Sequence, residues 1–554
     1  MKKQFLFYII LIVLVSCGSI KKHNEQITMP HSVEDLRRDV DKVYNQLKKH
    51  HPKLYQYTSK EVLDFKFDSL KTSITTPLTS REFYKKLAPV VAQIKQGHIS
   101  VGSVSKRFTK KERKALKKQK FEFYDLEFEY LDNKLWVVGT RGKDSTFIGS
   151  EVLKIEDNIA TDLVEQYKTR FASDGYNQTL YNRAVSNHFS TFYYKDKGFL
   201  DSLKIEFKQK DTVFTKTFRR ILKDEKTNEN DSLVKETPEK LTKKEKQQNR
   251  IAAKKKRKEN RKRGFITATK EYTRNFNFIG KDSTVAYMKI RGFSNGNYRK
   301  FYKENFKKMD SLKTEHLILD LRDNGGGRIA EIDYLYSFLT NKKYKLVEDS
   351  EVNSRLPYFK YLMSNTTPFV VKASAVVLSP IIIAQNLIKT KKKDERIYYN
   401  FRFSKEKDPQ PLNYKGALYV IINGNSFSAS SLLATHLKAN KRAVFVGEET
   451  GGAYNGCVAG IYKIHEMPNS KLKIRMGLMQ IESSYKQTPD GYGIMPDIEI
   501  VPTIEDRNQH KDPELDWILN AIKTNEPSML KTLLTHRSMI MDAPSDGRVM
   551  SYEF

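Results

Sequence analysis

Val420-Ile421-Ile422-Asn423-Gly424-Asn425-Ser426-Phe427-Ser428-Ala429-Ser430-Ser431-Leu432-Leu433 runs from continuous apolar residues, through small polar ones, into an apolar stretch. The pattern predicts a buried strand, a tight turn and a helix. A side chain at such a helix start stands where unpaired amides and the helix dipole favour negative charge, which suits a nucleophile. Ser426, Ser428 and Ser430 all compete for that role, and a serine-rich helix cap is an equal reading of these residues alone.

Working outward, short apolar runs recur at Thr284 to Ile290, His316 to Leu321, Ala417 to Ile422 and Ala443 to Val446. Helical stretches separate them, so the segment from about Asn275 to Pro502 reads as an α/β core with buried strands. Asp512 to Ile522, with Leu515, Trp517, Ile518 and Ile522, reads as a closing helix. One strand leads into Leu319-Asp320-Leu321-Arg322-Asp323-Asn324-Gly325-Gly326-Gly327. Three glycines free backbone amides for close approach to a ligand, and such amides stabilise a developing oxyanion. A tight turn or a phosphate cradle would use the same triplet.

Upstream, Ser32 to Ser103 reads as helical. Ser32 and Asp35 form a capping pair, and Val33, Leu36, Val40, Val43 and Leu47 follow at helical spacing. Phe83, Leu87, Val91 and Ile94 repeat it, with Pro89 expected to kink the helix and Gly97 to stop it. His98 is thus placed between a helix end and the strand-like Ile99-Ser100-Val101. Phe121 to Leu222 alternates apolar and polar residues in short runs. Gly149-Ser150-Glu151-Val152-Leu153-Lys154-Ile155 and the turn Glu156-Asp157-Asn158 resemble the strand-and-turn element of PDZ domains, which add an extended peptide to a sheet edge. A generic β-rich insertion is the alternative. Lys223 to Arg263 is nearly free of large apolar residues and is either a solvated helix or a disordered linker.

The 554 residues exceed what one core organises, and 39% apolar residues suffice for several. The net charge of +33 raises a nucleic-acid reading. The basic runs lack the interleaved aromatic or groove-entering elements that reading needs, so no nucleic-acid partner is expected. Lys2, Lys3 and the uncharged run Phe5 to Val15 form a signal-like start too short to span a bilayer. It ends in Leu14-Val15-Ser16-Cys17, which resembles the bacterial lipobox. That resemblance implies lipidation of Cys17 and anchoring at the cell envelope, on the periplasmic or outer-membrane face. An ordinary signal peptide is the alternative. Cys457 is then left without an intramolecular partner, so no disulfide framework and no cysteine zinc site is expected; nor is any metal or other cofactor.

Taken together, four segments resemble the tail-specific, or C-terminal-processing, serine protease family. They are Asp320-Leu321-Arg322-Asp323-Asn324-Gly325-Gly326-Gly327, Ser428-Ala429-Ser430, Gly447-Glu448-Glu449-Thr450-Gly451-Gly452 and Gly493-Ile494-Met495-Pro496-Asp497-Ile498. They lie in family order between Thr284 and Val501. The resemblance implies a ClpP/crotonase-like α/β protease core, a helical N-terminal region and a PDZ-like β-rich domain. It makes Ser428 the nucleophile, with the amides of Ala429 and of Gly325 or Gly326 as oxyanion donors. Family members with a serine–lysine dyad place lysine just after the Gly-Glu segment, whereas this chain has Ala453, Tyr454 and Asn455. It is similar instead to the tricorn-like branch, where an N-terminal histidine is the base, and Gln96-Gly97-His98-Ile99-Ser100 matches that segment. His98 is therefore the expected base, ahead of His436, His465, His50 and His51. Asp490 stands where that branch has an acidic residue, with Asp497 or Glu482 as alternatives.

The expected organisation is a signal peptide at 1–17, a helical region at 29–115, a PDZ-like domain at 119–222, a basic linker at 223–265, a catalytic core at 266–525 and a tail at 526–554. The expected activity is hydrolysis of peptide bonds in protein or peptide substrates. A catalytically inactive ligand- or peptide-binding protein on the same fold is the alternative. A cell-surface polymer binder driven by the basic linker is a third reading.

Overall fold

The computed structural model describes residues 19–223, 242–267 and 269–524. The apolar N-terminal run, Cys17, part of the basic segment and the tail at 526–554 lie outside the described residues.

The core is a six-stranded sheet whose spatial order follows the chain: Arg274–Ile279, Val285–Ile290, His316–Asp320, Ala417–Ile422, Val444–Gly447 and Ile498–Glu499. Only the first pair is antiparallel; the remaining neighbours are parallel. Parallel strands buried on both faces explain the unbroken apolar runs. One face packs on the helices Tyr298–Ser311, Ile329–Leu339 and Ala429–Ala439. The other packs on Pro513–Lys523 through Ile518 and Trp517, as the closing-helix reading expected. Asp320 and Arg322 of the glycine-loop motif are structural. The buried Asp320 carboxylate accepts from Lys289, Tyr287 and Arg322, and Arg322 also pairs with Asp512. These neighbours hold the Asp320 carboxyl well below the usual range despite burial.

The N-terminal helices Val33–His50, Lys60–Ser73 and Ser80–Ala92 form a second core with the hairpin of Cys457–Glu466 and Lys473–Ile481. Ser32 caps the first helix by accepting from the Asp35 amide. The helix Ser80–Ala92 continues through Pro89. The fully buried Asp39 accepts from the amide and hydroxyl of Ser470, fastening the first helix to the turn of that hairpin. Ser100–Gly102 then adds to the same hairpin as an antiparallel strand, with Ser100 opposite Arg475. A strand from the N-terminal region thus completes a sheet whose other strands come from the C-terminal half.

Residues 119–222 form a seven-stranded sheet with its own aromatic-rich core and the helices Ala160–Lys168 and Thr179–Lys197. Glu151–Ile155 is an interior strand, paired with both Lys134–Thr140 and Ser202–Gln209, so it offers no free edge itself. Of the two alternatives for the basic segment, its described part takes the solvated helix, Lys243–Arg263. Thr242 and Glu245 form its capping box, and Gly264 closes it in the left-handed region.

Candidate active site

The 420–433 segment folds as its pattern predicts: strand Ala417–Ile422, a turn, and helix Ala429–Ala439. The turn separates the three serines. Ser426 is buried, with its hydroxyl donating to the Leu321 carbonyl at 2.8 Å while accepting from the Asn423 amide. It builds the turn. Ser430 is fully buried on the helix. Ser428 occupies the N-cap position but makes no side-chain cap bond, and its backbone sits at φ 57° and ψ −115°. This is a sparsely populated conformation for a residue with a Cβ. It turns the hydroxyl away from the helix amides. Ser428 Oγ lies 3.0 Å from Nε2 of His98, which is 330 positions away in sequence.

His98 reaches Ser428 because the chain around it is pinned on every side. Gly97 lies five residues beyond the end of Ser80–Ala92, so it is not the helix stop that the sequence suggested. Its role is close approach: a Cβ there would come within 2.5 Å of Phe427 Cζ and 3.2 Å of Asp174 Oδ1. The Gly97 amide donates to Asp174 at 2.7 Å, and the His98 carbonyl accepts from Arg475 at 3.2 Å. The His98 ring packs between Phe427 and Tyr462, at centroid distances of 5.0 and 5.6 Å. Burial, reinforced by the Arg475 charge, pushes its pKa down to about 3.

The second ring nitrogen, Nδ1, faces the hydroxyl of Tyr462 at 3.3 Å. The Arg475 guanidinium lies 3.5 Å from the centroid of the Tyr462 ring. Tyr462 and Arg475 come from the two strands of one hairpin, the one that the strand after His98 joins. Asp490 does not touch the imidazole. Its carboxylate accepts from Gln56 Nε2 at 2.9 Å and from its own neighbour, the Gly491 amide. Gln56 in turn accepts from Gln96 at 3.1 Å, so Asp490 reaches the His98 segment only through two glutamines. The alternatives are engaged elsewhere, Asp497 with the Phe445 amide and Lys438, Glu482 with Lys486. His436, likewise, is buried with Nε2 against the Leu346 carbonyl at 2.7 Å.

The glycine loop meets the serine turn directly. A Cβ on Gly326 (φ 94°) would lie 2.8 Å from both Ser428 Cβ and the Ala429 nitrogen, so this position must be glycine. The Gly326 amide, however, donates to Asn324 Oδ1 at 3.0 Å. It is therefore spent within the loop and not offered as an oxyanion donor. Gly327, the next residue, lines a cavity of about 350 Å³ together with Ser428, Ala429, Ala453 and Cys457. Tyr358, Phe401, Phe403, Leu432 and Ile481 supply its apolar walls.

Sequence reasoning missed three neighbours of the pair. Tyr462 carried no signal beyond its place in a strand. Asp174 sits in Ser173-Asp174-Gly175-Tyr176-Asn177, a turn-type cluster whose Ser173 and Asn177 side chains tie to Gly451 and Thr450. Burial pushes the Asp174 carboxyl up to about 7, even though the Gly97 amide favours the carboxylate. Cys457, considered above only for disulfides, is a free buried thiol in the wall of the Ser428 cavity, with its pKa raised by burial.

Residues 284–500 match the family model of peptidase family S41. Residues 284–500, and with them the glycine loop and the Ser428 turn, are thereby similar to peptidase family S41. The match covers the core strands from Val285–Ile290 onward, the glycine loop and the Ser428 turn, whereas Arg274–Ile279 and His98 lie outside it. Among solved structures, the fold is similar to that of mature CPAF complexed with lactacystin, with a TM-score of 0.58 at 16% identity. That likeness covers 91% of this chain and 99% of the other. A second structure, of mature CPAF, gives 0.57 at 14% identity over 94% and 99% of the two chains. Similarity at these identities is one of fold. No curated protein matches the sequence.

Proposed function

We propose that this chain is a serine peptidase of family S41 that hydrolyses peptide bonds of protein or peptide substrates, with Ser428 as nucleophile and His98 as general base. The observation that carries this reading is the 3.0 Å separation of Ser428 Oγ and His98 Nε2. For Nε2 to accept the serine proton, Nδ1 must hold the ring hydrogen and donate it to the Tyr462 oxygen. Tyr462 thereby selects the tautomer and the ring orientation. The freed oxygen of Ser428 attacks the substrate carbonyl, the Ala429 and Gly327 amides receive the oxyanion, and His98 returns its proton to the leaving amine. Water, deprotonated by the same imidazole, then attacks the ester and releases the acid, and His98 hands the proton back to Ser428. The apolar walls of the adjoining cavity suit an apolar substrate side chain next to the scissile bond.

A fluorophosphonate probe tests the assignment. Labelling of the wild type that disappears in Ser428→Ala and His98→Ala supports it, and an unlabelled wild type assigns the chain to the binding-protein alternative. The third member of the site is checked by a pair of variants. Tyr462→Phe is expected to lower kcat about 10- to 100-fold, the scale of losing a partner that orients a functional histidine. Asp490→Asn should change kcat less than about threefold, because its carboxylate holds Gln56 and not the imidazole. The reverse ranking in steady-state peptide cleavage would return the role to Asp490.

The pH profile follows from the environment of His98. The base works only when unprotonated, and burial and Arg475 disfavour its protonation. The acid limb of kcat/KM is therefore expected well below the ordinary histidine value of about 6.5. Arg475→Met removes a positive charge beside the ring and should move that limb to higher pH. A limb near 6.5 that ignores Arg475 would contradict this account.

For location, we propose an envelope lipoprotein anchored through Cys17, on the strength of the lipobox-like sequence. Metabolic labelling with a fatty-acid analogue that is abolished in Cys17→Ser checks it.

A further inference from the structure

Between the cavity residues Tyr358 and Phe401 the chain makes an excursion whose centre is the helix pair Phe369–Val377 and Ser379–Lys389. Of the first helix only Ala375 is buried, and of the second only Asn386. Phe369, Val370, Val376, Val377, Ile381 and Ile388 are all at least 58% exposed. Water-facing apolar side chains in this number and continuity mark an interaction surface.

The charges around the patch indicate its occupant. From Phe369 to Lys393 there are five lysines, Lys372, Lys389, Lys391, Lys392 and Lys393, and no acidic residue. Asp394 and Glu395 follow at the tip of the next hairpin, where Glu395 pairs with Lys392. Burial lowers the pKa of Lys463 on the neighbouring strand, and Lys360 and Lys49 of the adjoining elements, with Lys372 of the pair itself, lie close enough to lower it further. An apolar surface flanked by this many cations fits the boundary between acyl chains and anionic headgroups. Neither helix passes the length needed to cross a bilayer, and the two meet at 73°. Nine and eleven residues span only about 14 and 17 Å, against a hydrocarbon core of about 30 Å. The pair can lie in an interface but not traverse it as one rod.

We propose that this helix pair docks the chain on an anionic lipid bilayer, with Phe369, Val377, Ile381 and Ile388 entering the headgroup–acyl boundary. The attachment is distinct from the N-terminal anchor and independent of the peptidase reading. Its position gives it a consequence for the active site. Thr366 and Asn365, just before the pair, bond to the Ile464 and Glu466 carbonyls of the strand that carries Tyr462. Tyr358 and Phe401 flank the excursion and line the cavity. Docking therefore holds the Ser428 cavity on the membrane side of the chain and, on the peptidase reading proposed above, favours membrane-proximal chain segments as substrates.

The test uses the full chain carrying Val377→Trp, mixed with vesicles of phosphatidylglycerol and acyl-brominated phosphatidylcholine. A tryptophan at position 377 should shift its emission to the blue and be quenched by bromine. Val213→Trp, at another exposed position, in the β-rich segment, should show neither change. Because quenching reads local contact, attachment through the N-terminus alone does not mimic it. Adding Ile381→Glu and Ile388→Glu should weaken the quenched population by about tenfold or more, with circular dichroism unchanged because both positions are exposed. Unquenched Val377→Trp on vesicle-bound, folded protein overturns the proposal. So does a double glutamate variant that leaves vesicle binding intact but converts a dimer to a monomer, which would assign the face to a second copy of the chain.

Discussion

Ser428→Ala is expected to lower kcat on the order of 10⁶-fold, the scale seen when a serine nucleophile is removed from an intact catalytic constellation. Residual turnover would come from the oxyanion amides and substrate binding alone. The fold should not suffer. Ser428 caps nothing with its side chain, and its backbone strain at φ 57° is the same for alanine. Glycine at this position should behave differently. Glycine adopts such a conformation without the Cβ penalty, so Ser428→Gly is expected to be as inactive as alanine yet to melt at a higher temperature. Parallel peptide-cleavage assays and thermal melts of the two variants check both statements. Comparable activity in wild type and Ser428→Ala would remove the hydrolytic reading, and a lower melting point for the glycine variant would remove the strain argument. The expectation has a physical root: the turn is held in an unfavourable geometry by Gly326 packing and by the Ser426 hydrogen bonds, and the released hydroxyl is what meets His98.

The second large effect is expected at a residue with no functional group. Gly97→Ala would place a methyl 2.5 Å from the Phe427 ring, which forces a shift, and 3.2 Å from Asp174 Oδ1, which must give by a few tenths of an ångström. The cheapest relief is outward movement of the Gly97–His98 segment, which carries Nε2 away from Ser428. A displacement of about 1 Å in a catalytic group costs about 10²-fold, so kcat should fall by that factor while KM changes little. The remaining activity should resist fluorophosphonate labelling in the same proportion, because probe and substrate both need the activated hydroxyl. The matching control is Gly102→Ala, in the strand Ser100–Gly102 that follows, where a Cβ would make only ordinary contacts at 3.6 and 3.7 Å. Equal kinetics for Gly97→Ala and Gly102→Ala would show that the close approach does not set the position of the base.

Those two expectations separate what the chain discloses by itself from what it does not. The parallel core was legible because strands buried on both faces need unbroken apolar runs, and Ala417 to Ile422 is such a run. The Ser428 turn was legible because a strand-to-helix junction of small residues has few foldings. His98 could be nominated, through the tricorn-like resemblance and its place after a helix, but not located in space. The relation of Asp490 to that base was not legible, since a carboxylate in a turn looks the same whether it faces an imidazole or Gln56. The hydrogen bonding of the glycine loop was equally hidden: Gly325, Gly326 and Gly327 are chemically identical, and only the Asn324 side chain decides that the Gly326 amide is spent.

Local pattern, then, determined the strands, helices and turns, because each depends on residues within a few positions of one another. Tertiary structure alone decided that Ser428 and His98 meet. A strand after His98 adds to a hairpin from the far end of the chain, and that hairpin brings Tyr462 and Arg475 with it. The pairing rests on hydrogen bonds between backbones, which any sequence of suitable strand character can make. Periodicity therefore holds no record of which strand is the partner, and only the packing of the Asp39 helix on that hairpin selects it.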